Sequence, residues 1–140
     1  MKTIPFQRLL CLLVAAWFSA GALPAADPKP ADKKGFKNAG VEEFDKLRAD
    51  KKNVVLDVRT KKEFDAGHIP GAINLDWNGP DFAKQAAELD KSKTYLVHCA
   101  VGGRSAKACN LMANKLQFNH CFNLESGFKG WEKAGKPVEK

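Results

Sequence analysis

The chain has 140 residues, a formal net charge of +7 and four cysteines. That length reads as one small domain with room for a core that needs no staples. The lysines cluster near the termini, at 29–37 and 129–140, with no basic stripe interleaved with aromatics; this argues against nucleic-acid binding and leaves a mild field that favours a small anion.

Lys2 and Arg8 precede an uncharged, mostly apolar run at 9–18, followed by the small residues Ala20-Gly21-Ala22. Residues 1–22 therefore read as a secretory signal peptide, which places the mature protein in the periplasm or outside the cell. The apolar run falls short of the roughly 20 residues a spanning helix needs, so no stable membrane association is expected after cleavage. Removing 1–22 takes Lys2 and Arg8 with it and leaves a charge of +5 and three cysteines, Cys99, Cys109 and Cys121. An odd count in an exported protein leaves at least one free thiol or an intermolecular bridge. Residues 23–39, rich in Pro and Lys at their start, read as a flexible leader, and the folded domain is placed at 40–140.

Within that domain the spacing of Val41, Phe44 and Leu47 predicts a helix, and the β-branched run at 53–58 predicts a strand buried on both faces. Thr60 and Glu63 form a capping box for a short helix. A turn at 67–71 leads to a short strand at 72–75, and Pro80 and Asp81 open a helix at 82–89. A strand at 94–97, a helix from 106 to 113, a strand at 120–124 and a final helix at 128–134 complete the order. Strands alternate with helices over short connections and nothing repeats. The fold class is therefore α/β, with a mainly parallel central sheet flanked by helices on both faces. Sites in such sheets form at the carboxyl ends of the strands.

Cys99 stands at that edge, in a turn made by Ala100, Val101, Gly102, Gly103, Arg104 and Ser105 at the mouth of a helix. Free backbone N–H groups and the helix dipole there favour negative charge, and so favour a thiolate over a thiol. Gly102 and Gly103 permit the backbone angles and close approach that a nest of amides requires. Arg104 either adds a positive charge at the rim or ties the turn down. Ser105 either caps the helix or donates to the thiolate.

Several motifs carry a family resemblance. They are Leu56-Asp57-Val58-Arg59, Glu63-Phe64 and Gly67-His68-Ile69-Pro70-Gly71-Ala72-Ile73-Asn74, then the Cys99 to Ser105 turn, then Asn123-Leu124-Glu125-Ser126-Gly127-Phe128, Gly130-Trp131 and Gly135-Lys136-Pro137-Val138. In this order the chain resembles a single-domain rhodanese, over about residues 40–139. Two departures stand out. Ala100 and Val101 are neutral where many members are polar or basic, and Ser126 stands where glycine is common. The resemblance implies a sulfurtransferase. Cys99 would attack the outer sulfur of a small anionic donor such as thiosulfate, hold it as a persulfide, and pass it to cyanide or a thiol acceptor. The turn residues Ala100 to Ser105 would bind the donor, no cofactor is implied, and the protein is expected to be a monomer.

Other readings of the same residues remain beside it. Phosphatase or arsenate-reductase chemistry uses His-Cys-x5-Arg, whereas four residues separate Cys99 from Arg104, a smaller ring of amides. A non-catalytic or redox-sensing module is the other rival. A metal site is not expected, because the members of His98-Cys99 and of His120-Cys121 point to opposite sheet faces. Cys109 and Cys121 are read as buried free thiols, with a disulfide between them as the alternative. Asp57, Arg59, Glu63 and His68 are read as supports of the site, with Arg59 and Glu63 pairing within one helical turn and His68 bonding neighbouring backbone. Trp77, Trp131, Phe64 and Phe128 either wall the site or fill the core.

Overall fold

All strands run the same way in the computed structural model, which describes residues 35–140. The signal peptide read at 1–22 and the leader up to residue 34 lie outside the described residues. In chain order the elements are β1 (Lys37–Ala39), α1 (Val41–Ala49), β2 (Val54–Asp57), α2 (Lys61–Ala66) and β3 (Ile73–Asn74). They continue with α3 (Phe82–Ala87), β4 (Tyr95–His98), α4 (Gly103–Asn114), β5 (Cys121–Leu124) and α5 (Gly127–Lys133). The five strands form one sheet in the order β1-β5-β4-β2-β3. This is the α/β fold with a parallel sheet that the alternation of patterns predicts.

Side chains alternate across the sheet and meet helices on both faces. Leu56, Val97 and Cys121 face α3 and α4, where Phe82, Ala86, Ala108 and Met112 close one core. Val55, Leu96 and Leu124 face α1 and α5, where Phe44, Phe128 and Trp131 close the other. Trp131 is fully buried and Phe128 is almost so, which assigns both to the core. Helix ends follow local chemistry. Glu42 and Glu43 sit in the first turn of α1 and Lys46 and Arg48 in its last, each matching the helix dipole. The capping box of α2 is present, with the Thr60 hydroxyl accepting from the Glu63 N–H and the Glu63 carboxylate accepting from the Thr60 N–H.

Two boundaries differ from the sequence reading. The leader placed at 23–39 does not run to its end as leader, because Lys37–Ala39 pairs in parallel with Phe122, Asn123 and Leu124 as an edge strand. Nothing in Lys-Asn-Ala announces a strand; backbone pairing with β5 makes it one. The helix expected from Ala106 begins at Gly103 instead, so Gly103, Arg104 and Ser105 form its first turn.

The topology positions the site. The chain leaves β2 towards β3 and leaves β4 towards β5, on opposite sides. The loops after β2 and β4 therefore diverge, opening a crevice above Asp57 and His98, which are register partners.

Candidate active site

Cys99 follows β4 directly, and the chain turns through Ala100, Val101 and Gly102 into α4. The turn is tight because two glycines let backbone approach backbone. Gly102 has φ +92°, and a Cβ there would lie 2.2 Å from the Glu125 carbonyl oxygen. Gly127 has φ +63°, and a Cβ there would lie 2.5 Å from the Ala100 carbonyl. No other residue type fits either place without moving the chain. From outside, the Phe128 N–H donates to the Cys99 carbonyl at 2.7 Å and the Lys129 N–H to the Ala100 carbonyl at 3.0 Å. The start of α5 thus holds the carbonyls of the turn, while the N–H groups of the turn point inward.

They point at sulfur. The Gly102 N–H donates to Cys99 Sγ at 3.1 Å, and the Ser105 hydroxyl lies 3.4 Å from it. Burial pushes the Cys99 thiol up, but hydrogen bonds from the Ser105 hydroxyl and from the N–H groups of Ser105, Val101 and Gly102 outweigh it. The net effect holds the thiol below its ordinary value and favours the thiolate. Cys99 is 1% exposed, while Val101 at the crest of the turn is 62% exposed, so the sulfur is recessed beneath the loop. Ser105 is the third residue of α4 and does not cap it; Gly102 occupies the N-cap position.

Arg104 does not stand free at the rim. Its guanidinium makes two bonds to the Glu63 carboxylate, at 3.0 and 2.9 Å, and so ties α4 to α2. This pair and the bonds from Thr60 hold the Glu63 carboxyl down at about 2, against the cost of partial burial. The Arg59–Glu63 pair expected from their spacing is not formed. Arg59 turns instead to Asp57, with Nη2 to Oδ2 at 2.7 Å, donates to the Gly67 carbonyl at 2.7 Å, and lies over the Phe128 ring at 4.0 Å. Asp57 and Arg59 are both buried, so this pair supports the crevice from below. His68 Nδ1 bonds the Phe64 carbonyl at 2.9 Å, and its ring stacks on Phe64. Its backbone pairs with Glu139, strapping the C-terminal segment to the domain. His98 is fully buried on the opposite sheet face from Cys99, between Phe44 and Phe128.

Around the turn, Ala100, Arg59, Glu63, Phe128, Lys129 and Glu132 border a groove of about 280 Å³. A larger cavity, about 490 Å³, opens at the opposite sheet edge by Lys37, His120 and Cys121, far from this chemistry along the strands. Cys109 and Cys121 are buried free thiols. Among the described residues, no three His, Cys, Asp or Glu side chains gather as a metal cluster, and no helix is long and apolar enough to cross a membrane. Ser126, which stands where glycine is common, has φ −84°, a conformation open to any residue, so serine sits there without backbone strain.

Three residues of the site escape a reading by motif. Gly127 matters for its approach to Ala100, Asn123 for a 2.6 Å contact with the Ser105 hydroxyl, and Asn38 for its bond to Asn123. Gly127 and Asn123 stand inside a motif, but only the fold shows what they touch.

A profile of the Rhodanese-like domain family matches residues 40–134. The mitochondrial protein HIGH ARSENIC CONTENT 1 of Arabidopsis thaliana is 34% identical over 95 residues, covering 61% of this chain and 56% of that one. The chain therefore spans little more than half of that relative's length. Thiosulfate sulfurtransferase 16, a chloroplastic protein of the same plant, is 34% identical over 94 residues, covering 60% of this chain and 78% of that one. The crystal structure of a rhodanese-related protein from Thermoplasma volcanium superposes with a TM-score of 0.64 at 27% identity, covering 74% of this chain and 98% of the other.

Proposed function

The chain belongs to the rhodanese-like domain family, and on that premise we propose that it is a sulfurtransferase working through a persulfide on Cys99. One observation carries the reading: Cys99 Sγ, at the mouth of α4, accepts from the Gly102 N–H at 3.1 Å and lies 3.4 Å from the Ser105 hydroxyl. In the first half-reaction the thiolate attacks the outer sulfur of thiosulfate. A new S–S bond forms, the old S–S bond breaks, and sulfite leaves with the electron pair. Cys99 then carries an anionic persulfide, which the same amides stabilise. In the second half-reaction cyanide or a thiolate takes the outer sulfur and the Cys99 thiolate returns. No proton is transferred in either attack, so the site needs no general base.

The recessed sulfur favours a small donor with a terminal sulfur over a bulky one. Arsenate and phosphate fit less well, because four residues span Cys99 to Arg104 and the Arg104 guanidinium is engaged by Glu63. The sequence of residues 1–22 supports export, and the protein is proposed to act as a periplasmic or secreted monomer.

Intact-mass measurement after thiosulfate treatment tests the reading. One added sulfur atom is expected, removed by cyanide as thiocyanate and absent in Cys99→Ser. Failure of the native protein to gain sulfur would leave a binding or redox-sensing module. Release of phosphate from an aryl phosphate would move the reading to phosphoryl chemistry.

A further inference from the structure

We propose that Asn123, backed by Asn38, is a positioning residue whose amide orientation sets whether the Ser105 hydroxyl donates to the Cys99 sulfur. The inference rests on Cys99 as the nucleophile and concerns how the fold readies it. Ser105 is fully buried and its hydroxyl has a single proton. Three acceptors compete for that proton: Asn123 Oδ1 at 2.6 Å, the Gly102 carbonyl at 3.1 Å and Cys99 Sγ at 3.4 Å. Asn123 is itself 3% exposed, and its Nδ2 donates outward to Asn38 Oδ1 at 3.0 Å. A continuous chain of polar side chains therefore runs from the exposed edge strand β1 through β5 and α4 to the sulfur.

The chain has two consistent arrangements. With a neutral thiol, Ser105 donates to Asn123 Oδ1, and Asn123 donates to Asn38. With a thiolate, the charged sulfur claims the hydroxyl proton, since hydrogen bonds to ions are the stronger ones. Two oxygens would then face each other at 2.6 Å with no proton between them. Rotating the Asn123 amide removes that conflict: its Nδ2 donates to Ser105, its Oδ1 turns to β1, and Asn38 offers Nδ2 in return. The two ends of an amide occupy nearly the same space, so the rotation needs no repacking. Asn38 is exposed and turns at little cost. Ionisation of Cys99 and the direction of the chain are thus linked, and the thiol proton leaves to solvent.

The charged and titratable groups on the elements around Cys99 are Arg104 on α4, paired with Glu63 on α2, the exposed Lys107 on α4, Lys129, Glu132 and Lys133 on α5, Glu125 just before it and Lys37 on β1, and the buried thiols Cys109 on α4 and Cys121 on β5. His98 on β4 faces the opposite core. None of them stands between Asn38 and Ser105.

The test is the pH titration of the Cys99 thiolate by its ultraviolet absorbance, with no sulfur donor present. In Asn38→Asp the carboxylate only accepts, so it pins Asn123 Nδ2 outward and leaves Asn123 Oδ1 holding the Ser105 proton. The Cys99 midpoint is expected to rise by about one pH unit, a tenfold loss of thiolate at any pH well below it. In a Ser105→Ala background the same substitution is expected to change the thiolate less than twofold. No rise in Asn38→Asp overturns the proposal. So does an equal rise in both backgrounds, which would be the field of the new charge alone. A second readout uses the native protein, in case Asn38→Asp does not fold. The side-chain NH₂ resonances of Asn123 are expected to shift with the Cys99 midpoint, and resonances that stay fixed through it overturn the proposal. Neither readout involves sulfur transfer, so a failed persulfide test would leave this result separately readable.

Discussion

Cys99 and the pair Cys109 and Cys121 are the same residue type in the same core layer, yet they are opposite chemical objects. Burial raises Cys109 well above the ordinary thiol value and pushes Cys121 up to about 12. Cys99 is equally hidden and lies below that ordinary value. Depth does not separate them; donors do. Inward N–H groups and a hydroxyl surround Cys99, while nothing offsets desolvation at the other two. His98 repeats the lesson one residue away, on the other face of the strand. Its Nε2 has no hydrogen-bond partner and stands 3.5 Å from Asp57 Oδ2, and burial pushes it down to about 4 despite that carboxylate.

The largest expected effect is in thiol selectivity. At neutral pH a small alkylating agent should modify Cys99 while Cys121 stays essentially unlabelled over the same period, because donors favour the thiolate of the first and burial disfavours that of the second. Peptide mapping over a time course measures it, and comparable labelling of all three would erase the contrast. Next comes Gly102→Ala. The added methyl would meet the Glu125 carbonyl, the turn would have to move, and sulfur transfer should fall about a hundredfold or more. Transfer close to the native rate would mean that the ring of amides does not govern Cys99.

His98 predicts an acid-sensitive fold. Its value falls on folding from 6.5 to about 4, so the unfolded chain takes up this proton first. The stability it leaves intact above pH 6.5 is lost as pH drops towards 4, by up to about 3 kcal/mol. Urea midpoints at pH 7 and pH 4.5 read the loss, and an NMR titration of His98 with a midpoint near 6.5 would break the account. The smallest effect is expected at Arg104. Because the guanidinium is bonded to Glu63, Arg104→Ala should weaken thiosulfate use about tenfold or less, chiefly by loosening the turn. Glu63→Gln should reproduce much of that effect, whereas a direct donor contact by Arg104 would leave Glu63→Gln nearly silent.

Local pattern carries the layers of the fold. Val54, Val55 and Leu56 read as strand because they are β-branched or apolar without interruption, and Thr60 with Glu63 reads as a helix start because the box closes within four residues. Cys99 reads as the centre because its turn is short, contains glycine and lies between a strand and a helix. What stays hidden depends on neighbours distant in sequence. Arg104 meets Glu63 across 41 positions, Asn123 meets Asn38 across 85, and Gly127 is needed for the backbone it passes. The Arg59–Glu63 pair is absent for a different, local reason: helical spacing favours it, but the buried carboxylate two residues away takes the guanidinium first.

The short strand at Lys37–Ala39 lies ahead of the residues that the family profile covers. A chain begun at Gly40 would keep every family motif and still lose its bolt. Cys121–Leu124 would become a bare border of the sheet, with its outward N–H and C=O groups open to any other extended segment, including the same segment of another copy. Trimming to the motif boundary should therefore yield a protein that self-associates, which size-exclusion chromatography of the trimmed and full chains would check.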